Sequence, residues 1–442
     1  MPNLPDLSNI PKRRLVILAS LLLIGGVTFI VIRSNLQSRI DVARPKAELT
    51  MWGVLSADEM DLLNGGYTAK EPGVTLTYTQ IPKEQYETRL LNALASGQGP
   101  DIVMIHNHNL TKEADKLVPA PQGVVGLATV QDLYPRVVEE EFIDPQGAIY
   151  ALPIYLDTLA LFYNKELLDQ AGIAELPKTW EEFQAMIPKL RELKNNGQIV
   201  RAAAALGGSA KTVPTGIDLL QLLLLQNGAL SDLNGDSIQT LTPSFANGAG
   251  ENAFNFYLSF GNSGSSVYTW NDGQGDYLES FSAGKTAMIF DYRDRMSEIK
   301  RRAPFLKFGV AAMPQLTKSA SVNYPDYWGL AVSKQSKFPN EAWGFIADTL
   351  TDQGLMQDYM QNAGRPPALR TLIGLVADIP EVGVFAKQAL TARSWRQADE
   401  VAIRDIFSRG IVRVTSGQTS PFQALNEIQD QVGVLANQIQ GR

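Results

Sequence analysis

The 442-residue chain contains no cysteine and only two histidines. Lack of cysteine excludes disulfides, thiolate metal sites, thiol nucleophiles and lipids attached through cysteine. Basic residues are outnumbered: 39 Lys and Arg against 46 Asp and Glu leave a net charge of -7 and a pI near 5.2. A chain of that balance has no concentrated cationic surface with which to neutralise nucleic-acid phosphates. Internal repeats and low-complexity tracts are also missing. What is present is an ordinary globular composition, 45% hydrophobic and 19% charged.

One hydrophobic run stands apart. LVILASLLLIGGVTFIVI, residues 15–32, is free of charge and follows Lys12-Arg13-Arg14. As a helix it spans about 27 Å, close to the ~30 Å hydrocarbon core of a bilayer. A cleaved signal peptide has a shorter apolar stretch and a small-x-small site after it, which Arg33-Ser34-Asn35-Leu36-Gln37 does not offer. The run is therefore expected to be an uncleaved single-span anchor, with residues 1–14 cytoplasmic, 33–46 a linker and the remainder extracytoplasmic; a cleaved signal peptide is the alternative. The compact basic cluster on the short side favours that orientation, although Arg33, Arg39, Arg44 and Lys46 follow the span. About 410 residues then remain, enough for two domains of ordinary size.

The soluble part opens with alternating strand and helix patterns. Ala47–Trp52 reads as a strand, Ser56–Tyr67 as a helix capped by Ser56 and stopped by Gly65-Gly66, and Val74–Gln80 as a second strand. Tyr86, Leu90, Leu91 and Leu94 share a helical face, and Gly97-Gln98-Gly99-Pro100 precedes the strand Ile102–Ile105. Such alternation implies a largely parallel sheet covered on both faces, in which ligands sit beyond the carboxyl ends of the strands. That rim would hold Trp52-Gly53 and the stretch His106-Asn107-His108-Asn109. Farther on, Thr179 and Glu182 form a capping box for a helix through Leu193, with Trp180 as packing. Asp218–Gln226 reads as a buried helix, Asn234-Gly235 as a hairpin turn in place of a calcium loop, and Pro339-Asn340 as the start of a helix running toward Gly354.

Seven segments in order carry a resemblance: Trp52 after a strand, YTAKEPGVTLTY, LLNALASGQGPDIVMI, YALPIYLDTLALFYNKELLDQAGI with LPKTWEEF, FSAGKTAMIFDYRD, YWGLAVS and GRPPAL. Over roughly residues 47–440 the chain resembles the extracellular solute-binding proteins of ABC importers, the maltose-binding-protein-like branch. The resemblance implies an α/β, two-lobed periplasmic-binding-protein-like (class II) fold with a hinge, here preceded by one transmembrane helix. It places lobe one at 47–155 and 330–366, and lobe two at 156–329 and 367–442. The crossings fall near Pro153-Ile154-Tyr155, Trp328-Gly329 and Gly364-Arg365-Pro366. It also implies a monomer that captures a mono- or oligosaccharide by lobe closure and passes it to permease subunits, with no catalysis and no cofactor.

A sugar needs planar rings for its C–H face and fixed polar groups for its hydroxyls, because a desolvated hydroxyl left unpaired costs roughly 1–3 kcal/mol. Candidate platforms near the expected seams are Trp52, Tyr155, Tyr292, Trp328 and Trp395, with Trp270 placed more loosely. Candidate polar contacts are His108, Asn109, Asp157, Asp291, Arg293, Arg365 and Arg393. By the resemblance, Asp157 matches the acidic residue that contacts sugar, with a hydrogen-bonding role in the hinge region as the alternative. His108-Asn109 stands where maltose binders carry an Asp-Arg pair, a departure that puts maltose itself in doubt.

His106 and His108 also suggest a metal, since residues two apart on a strand point the same way. A zinc site needs at least one more ligand, and no neighbouring HxxE, HExxH or acidic cluster supplies it, so a cleft-lining role is expected in its place. Three other readings stay open. A two-lobed sensor or scaffold would share the fold, as would a binder of a non-sugar solute such as a peptide. A glycosidase would need two carboxylates about 5–10 Å apart, for which Asp157 and Asp291 are the available pair without a catalytic motif around them.

Overall fold

A computed structural model describes residues 47–70, 73–230, 240–319 and 321–440. The expected anchor at 15–32 and the Asn234-Gly235 turn lie outside the described residues. Among those described, no helix is long and apolar enough to cross a membrane.

Strands β1 (Ala47–Gly53), β2 (Val74–Gln80), β3 (Ile102–His106), β4 (Leu117–Val118) and β5 (Leu152–Pro153) come first. After them come β6 (Asp157–Thr158), β7 (Ala160–Asn164), β8 (Glu192–Leu193), β9 (Ile199–Ala204), β10 (Thr286–Asp291) and β11 (Phe308–Ala311). β12 (Pro325–Asp326) and β13 (Trp328–Ser333) return the chain to where it began. The first sheet has the order β2-β1-β3-β13-β4, with β5 also on β13; the second runs β11-β7-β10-β9-β8. β1 is parallel to β2 and β3, as right-handed strand-helix-strand units require. β13 enters antiparallel to β3, with Trp328 opposite His106. β6 and β12 form a separate two-stranded ribbon, Asp157 opposite Asp326 and Thr158 opposite Pro325, through which two of the crossings pass.

Each sheet has its own core. Leu49, Met51, Ile102, Met104, Leu330 and Val332 anchor the first. Leu161, Phe183, Leu220, Leu224, Phe254 and Met288 lie in the second. Two separately packed sheets flanking a strand ribbon define a two-lobed α/β fold. The first core also takes Leu369, Leu372, Ile373 and Val376, from a stretch that the expected division placed in lobe two.

Local departures from the sequence reading have specific causes. The first helix continues through Gly65-Gly66 to Lys70. Gly66 packs there beside the Leu355 side chain, whose tip would have to shift for a Cβ at that position. Ser56 and Glu59 do form the N-terminal box, Glu59 N–H donating to Ser56 Oγ at 3.2 Å and Ser56 N–H to the Glu59 carboxylate at 3.3 Å. The helix opened by the Thr179–Glu182 box stops at Leu190, and Glu192–Leu193 becomes an edge strand. Pro188 inside its last turn removes a backbone donor. The helix from Pro339 ends at Leu350, after which Asp352 caps a new one over Gln353–Ala363.

Candidate functional site

The carboxyl ends of β3 and β10 face each other across the seam between the lobes. Between them lies a cavity of about 470 Å³. From the first lobe it is lined by Lys83, Tyr86, His106, Asn109 and Trp328; Asp326 of the ribbon contributes beside them. Asp218, Asp291, Tyr292, Arg295, Glu400 and Arg404 line it from the second lobe. Trp328 is held by three neighbours: the Tyr86 ring edge-on at 5.6 Å, the His106 ring at 5.2 Å, and Lys83 Nζ at 5.9 Å from the indole.

Most charges in the cleft are matched within the protein. Arg404 pairs with Asp218 and donates to the Pro214 carbonyl at 2.8 Å. Arg295 Nε lies 3.2 Å from Asp291, whose carboxylate also accepts from the Tyr277 hydroxyl. His106 Nδ1 is 2.8 Å from Glu400 Oε2, and its Nε2 is 3.5 Å from Asp326 Oδ2. The directions of both His106 contacts are poor for hydrogen bonds, so they act through charge, and neither ring nitrogen has an aligned partner. Two uncharged polar atoms of lining residues, Asn109 Oδ1 and the Tyr292 hydroxyl, likewise have no partner within the protein.

Protonation follows from burial and these neighbours. Burial alone would lower His106, but the Glu400 and Asp326 carboxylates outweigh it and raise the imidazole to about 10. Glu400, which burial would raise, is pulled down to about 2 chiefly by His106. Burial would likewise raise Asp326, yet Lys83 and His106 hold it well below the usual carboxylate range. Asp291 goes the other way: burial dominates over Arg295 and Tyr277 and lifts it to about 6.

Of the residues singled out in the sequence, His106, Asn109, Asp291, Tyr292 and Trp328 line the cavity. The others stand outside its lining. Trp52 packs against the first core, its carbonyl accepting from the Tyr86 hydroxyl at 3.1 Å. His108 is buried, with Nε2 3.2 Å from Glu141 Oε1. Tyr155 is buried beneath the Arg365 guanidinium, 4.6 Å from the ring centroid. Arg365 itself ties Glu59, at 2.8 Å, to Asp294. Asp157 is fully buried in the ribbon and accepts the backbone N–H groups of Thr158 and Arg293, each at 2.8 Å. Burial pushes its carboxyl well up. Trp395 is core, donating from Nε1 to Gln221 at 2.7 Å, and Trp270 is core as well, donating to Thr212 at 3.3 Å. Arg393 turns back on the Ala392 carbonyl at 2.9 Å.

Several lining residues were missed in the sequence. Asp218 had a signal, a lone carboxylate on a leucine-rich helix that buries all but its last residue. Arg295 sits four positions after Asp291, and Arg404 four after Glu400. Lys83 offered none. The histidine pair also needs revision, because β3 ends at His106 and Asn107–Asn109 form a 3-10 turn. The third acidic partner absent from the local sequence arrives from Glu400: ligand atoms of His106, His108 and Glu400 all lie within 4.8 Å of one another.

Two α/β lobes, a strand ribbon between them and a cavity at their seam, lined by apolar side chains and a set of polar ones, form a cleft sized for a small solute. Residues 54–359, more than half of the chain, match the family of bacterial extracellular solute-binding proteins, and the chain belongs to that family. It is similar to a mannitol-binding protein of Pseudomonas aeruginosa, 25% identical over 329 residues, 70% of each chain. Among solved structures it is similar to the cyclic alpha-maltosyl-1,6-maltose binding protein of Arthrobacter globiformis, with a TM-score of 0.72 and 20% identity over 89% of this chain and 99% of that one. It is also similar to a sugar-binding protein of Xanthomonas citri, TM-score 0.72 and 20% identity over 89% and 98% of the two chains. Proteins of this family bind solutes and are not enzymes.

Proposed function

We propose that the chain is the binding component of an ABC importer and holds a neutral carbohydrate between its lobes. The observation that carries this reading is the cleft lining. Trp328 offers a ring for a sugar's C–H face, while Asn109 Oδ1 and the Tyr292 hydroxyl have no protein partner. The charges around them are paired with one another, so the cavity presents fixed hydrogen-bonding atoms without demanding a charged guest. A volume of about 470 Å³ suits a small saccharide. The similarity to proteins named for sugars and a sugar alcohol supports the same class.

On this reading the extracytoplasmic lobes act as a monomer, residues 15–32 tether them to the membrane, and closed lobes present the solute to permease subunits. Asp157 and Arg365 act at the hinge, outside the ligand contacts. The test is a thermal-shift panel of neutral mono- and oligosaccharides on the full-length chain in detergent. A true ligand at 100 times its Kd stabilises by about 2.7 kcal/mol. A rise in melting temperature confined to one group of sugars supports the reading, and a flat response across the panel removes carbohydrate as the substrate class.

A further inference from the structure

The geometry points to a second binding site at the lobe seam: His106 and His108 of the first lobe and Glu400 of the second form a site for a zinc-like divalent cation. Two imidazoles and a carboxylate are the donor set of three-ligand zinc sites that leave a fourth position to water. Here the three ligand atoms lie within 4.8 Å of one another, and two of the three residues are buried. Four-coordinate zinc holds its ligand atoms about 3.4 Å apart, so small side-chain movements complete the set.

Three further observations point to a ligand. Both nitrogens of His106 and Nε2 of His108 are buried without an aligned hydrogen-bond partner. Each imidazole also faces a carboxylate outside the set, Asp326 Oδ2 at 3.5 Å from His106 Nε2 and Glu141 Oε1 at 3.2 Å from His108 Nε2. Such outer carboxylates fix the orientation of metal-bound histidines and raise their basicity. Glu141 is in turn held by Asn107 Nδ2 at 2.8 Å. Finally, two carboxylates converge on His106, Glu400 Oε2 at 2.8 Å and Asp326 Oδ2 at 3.5 Å, so a cation taken up there displaces the proton of the imidazole. Because His106 and Glu400 also line the cleft, the ion would join the lobes at its edge and stabilise the closed form.

The experiment uses the full-length chain in detergent, stripped with a chelator and titrated with Zn2+ near neutral pH by calorimetry. One ion bound per chain is expected, with affinity falling as the pH drops because the imidazoles must shed protons. Glu400→Gln and His108→Gln each weaken binding by 100-fold or more, and Glu141→Gln by roughly 10–100-fold. Co2+ in place of Zn2+ should give the visible absorption of a four-coordinate ion in the wild type, a readout that does not depend on any variant folding. Absence of stoichiometric binding, or Zn2+ affinity unchanged in Glu400→Gln, overturns the site. Sugar binding is scored separately, so either result leaves the carbohydrate reading to its own test.

Discussion

His106 Nδ1 and Glu400 Oε2 stand 2.8 Å apart across the seam, joining the last residue of β3 to the first residue of the helix Glu400–Thr415. Lys112 reaches Asp399 beside it at 2.7 Å, and Arg396 donates to the Ile143 carbonyl at 3.2 Å. One short stretch of the second lobe, 396–400, therefore latches onto the first. In a protein that closes on its solute, these contacts are candidates for the ones that must break on opening.

Removing Glu400 takes away one of the two carboxylates that hold the His106 charge and cuts the tie across the seam, leaving Asp326 as its remaining partner. Glu400→Ala should accordingly shift the lobes toward an open form, seen as a larger radius of gyration by small-angle X-ray scattering. An unchanged scattering profile would show that this pair does not hold the closure.

The pH dependence has a defined sign. His106 is raised to about 10 in the folded protein, so its contribution is complete below its unfolded value near 6.5 and is lost as pH rises from there through 10. Glu400, lowered to about 2, contributes above its unfolded value near 4.5 and loses that contribution as pH falls toward 2. Asp291, raised to about 6, disfavours the fold increasingly as pH climbs from 3.8 through 6. Denaturant titrations of wild type and His106→Gln should show the alkaline decline in the former and its loss in the latter.

Trp328 is the ring most enclosed by cleft groups. Trp328→Ala should weaken carbohydrate binding by about 2 kcal/mol, roughly thirtyfold, while Trp270→Phe, a change in the core, leaves affinity within about twofold. Equal losses in the two variants would place the stacking platform elsewhere.

The two adjacent helix glycines should differ. Nothing lies within 4 Å of a Cβ added at Gly65, so Gly65→Ala should stabilise the first lobe by about 0.5–1 kcal/mol. At Gly66 the same Cβ meets the tip of the Leu355 side chain, which must swing aside, so Gly66→Ala should gain less than Gly65→Ala. Thermal melts of the two variants decide this.

Legibility in the sequence followed the range of each interaction. β1, β2 and β3 and the Thr179 capping box were readable because alternation and caps are set by residues a few positions apart. Trp328 and Asp291 were found through short motifs at strand ends. Glu400 was not, since its meaning depends on His106, nearly three hundred residues earlier, and only the folded seam brings them together. Asp157 shows the reverse case. A carboxylate beside a crossing reads as a ligand group, yet the ribbon turns it inward onto two backbone N–H groups. Gly65-Gly66 misled for a similar reason, because the neighbour that Gly66 packs against, Leu355, comes from far along the chain.

Isothermal titration of the full-length chain with the saccharide selected by thermal shift, run beside Trp328→Ala, addresses the cleft most directly. One saturable site in the wild type, weakened roughly thirtyfold in the variant, is the expected result. Binding of equal strength in both proteins, or no heat from any neutral sugar with a folded wild type, would contradict a carbohydrate held against Trp328 between the lobes.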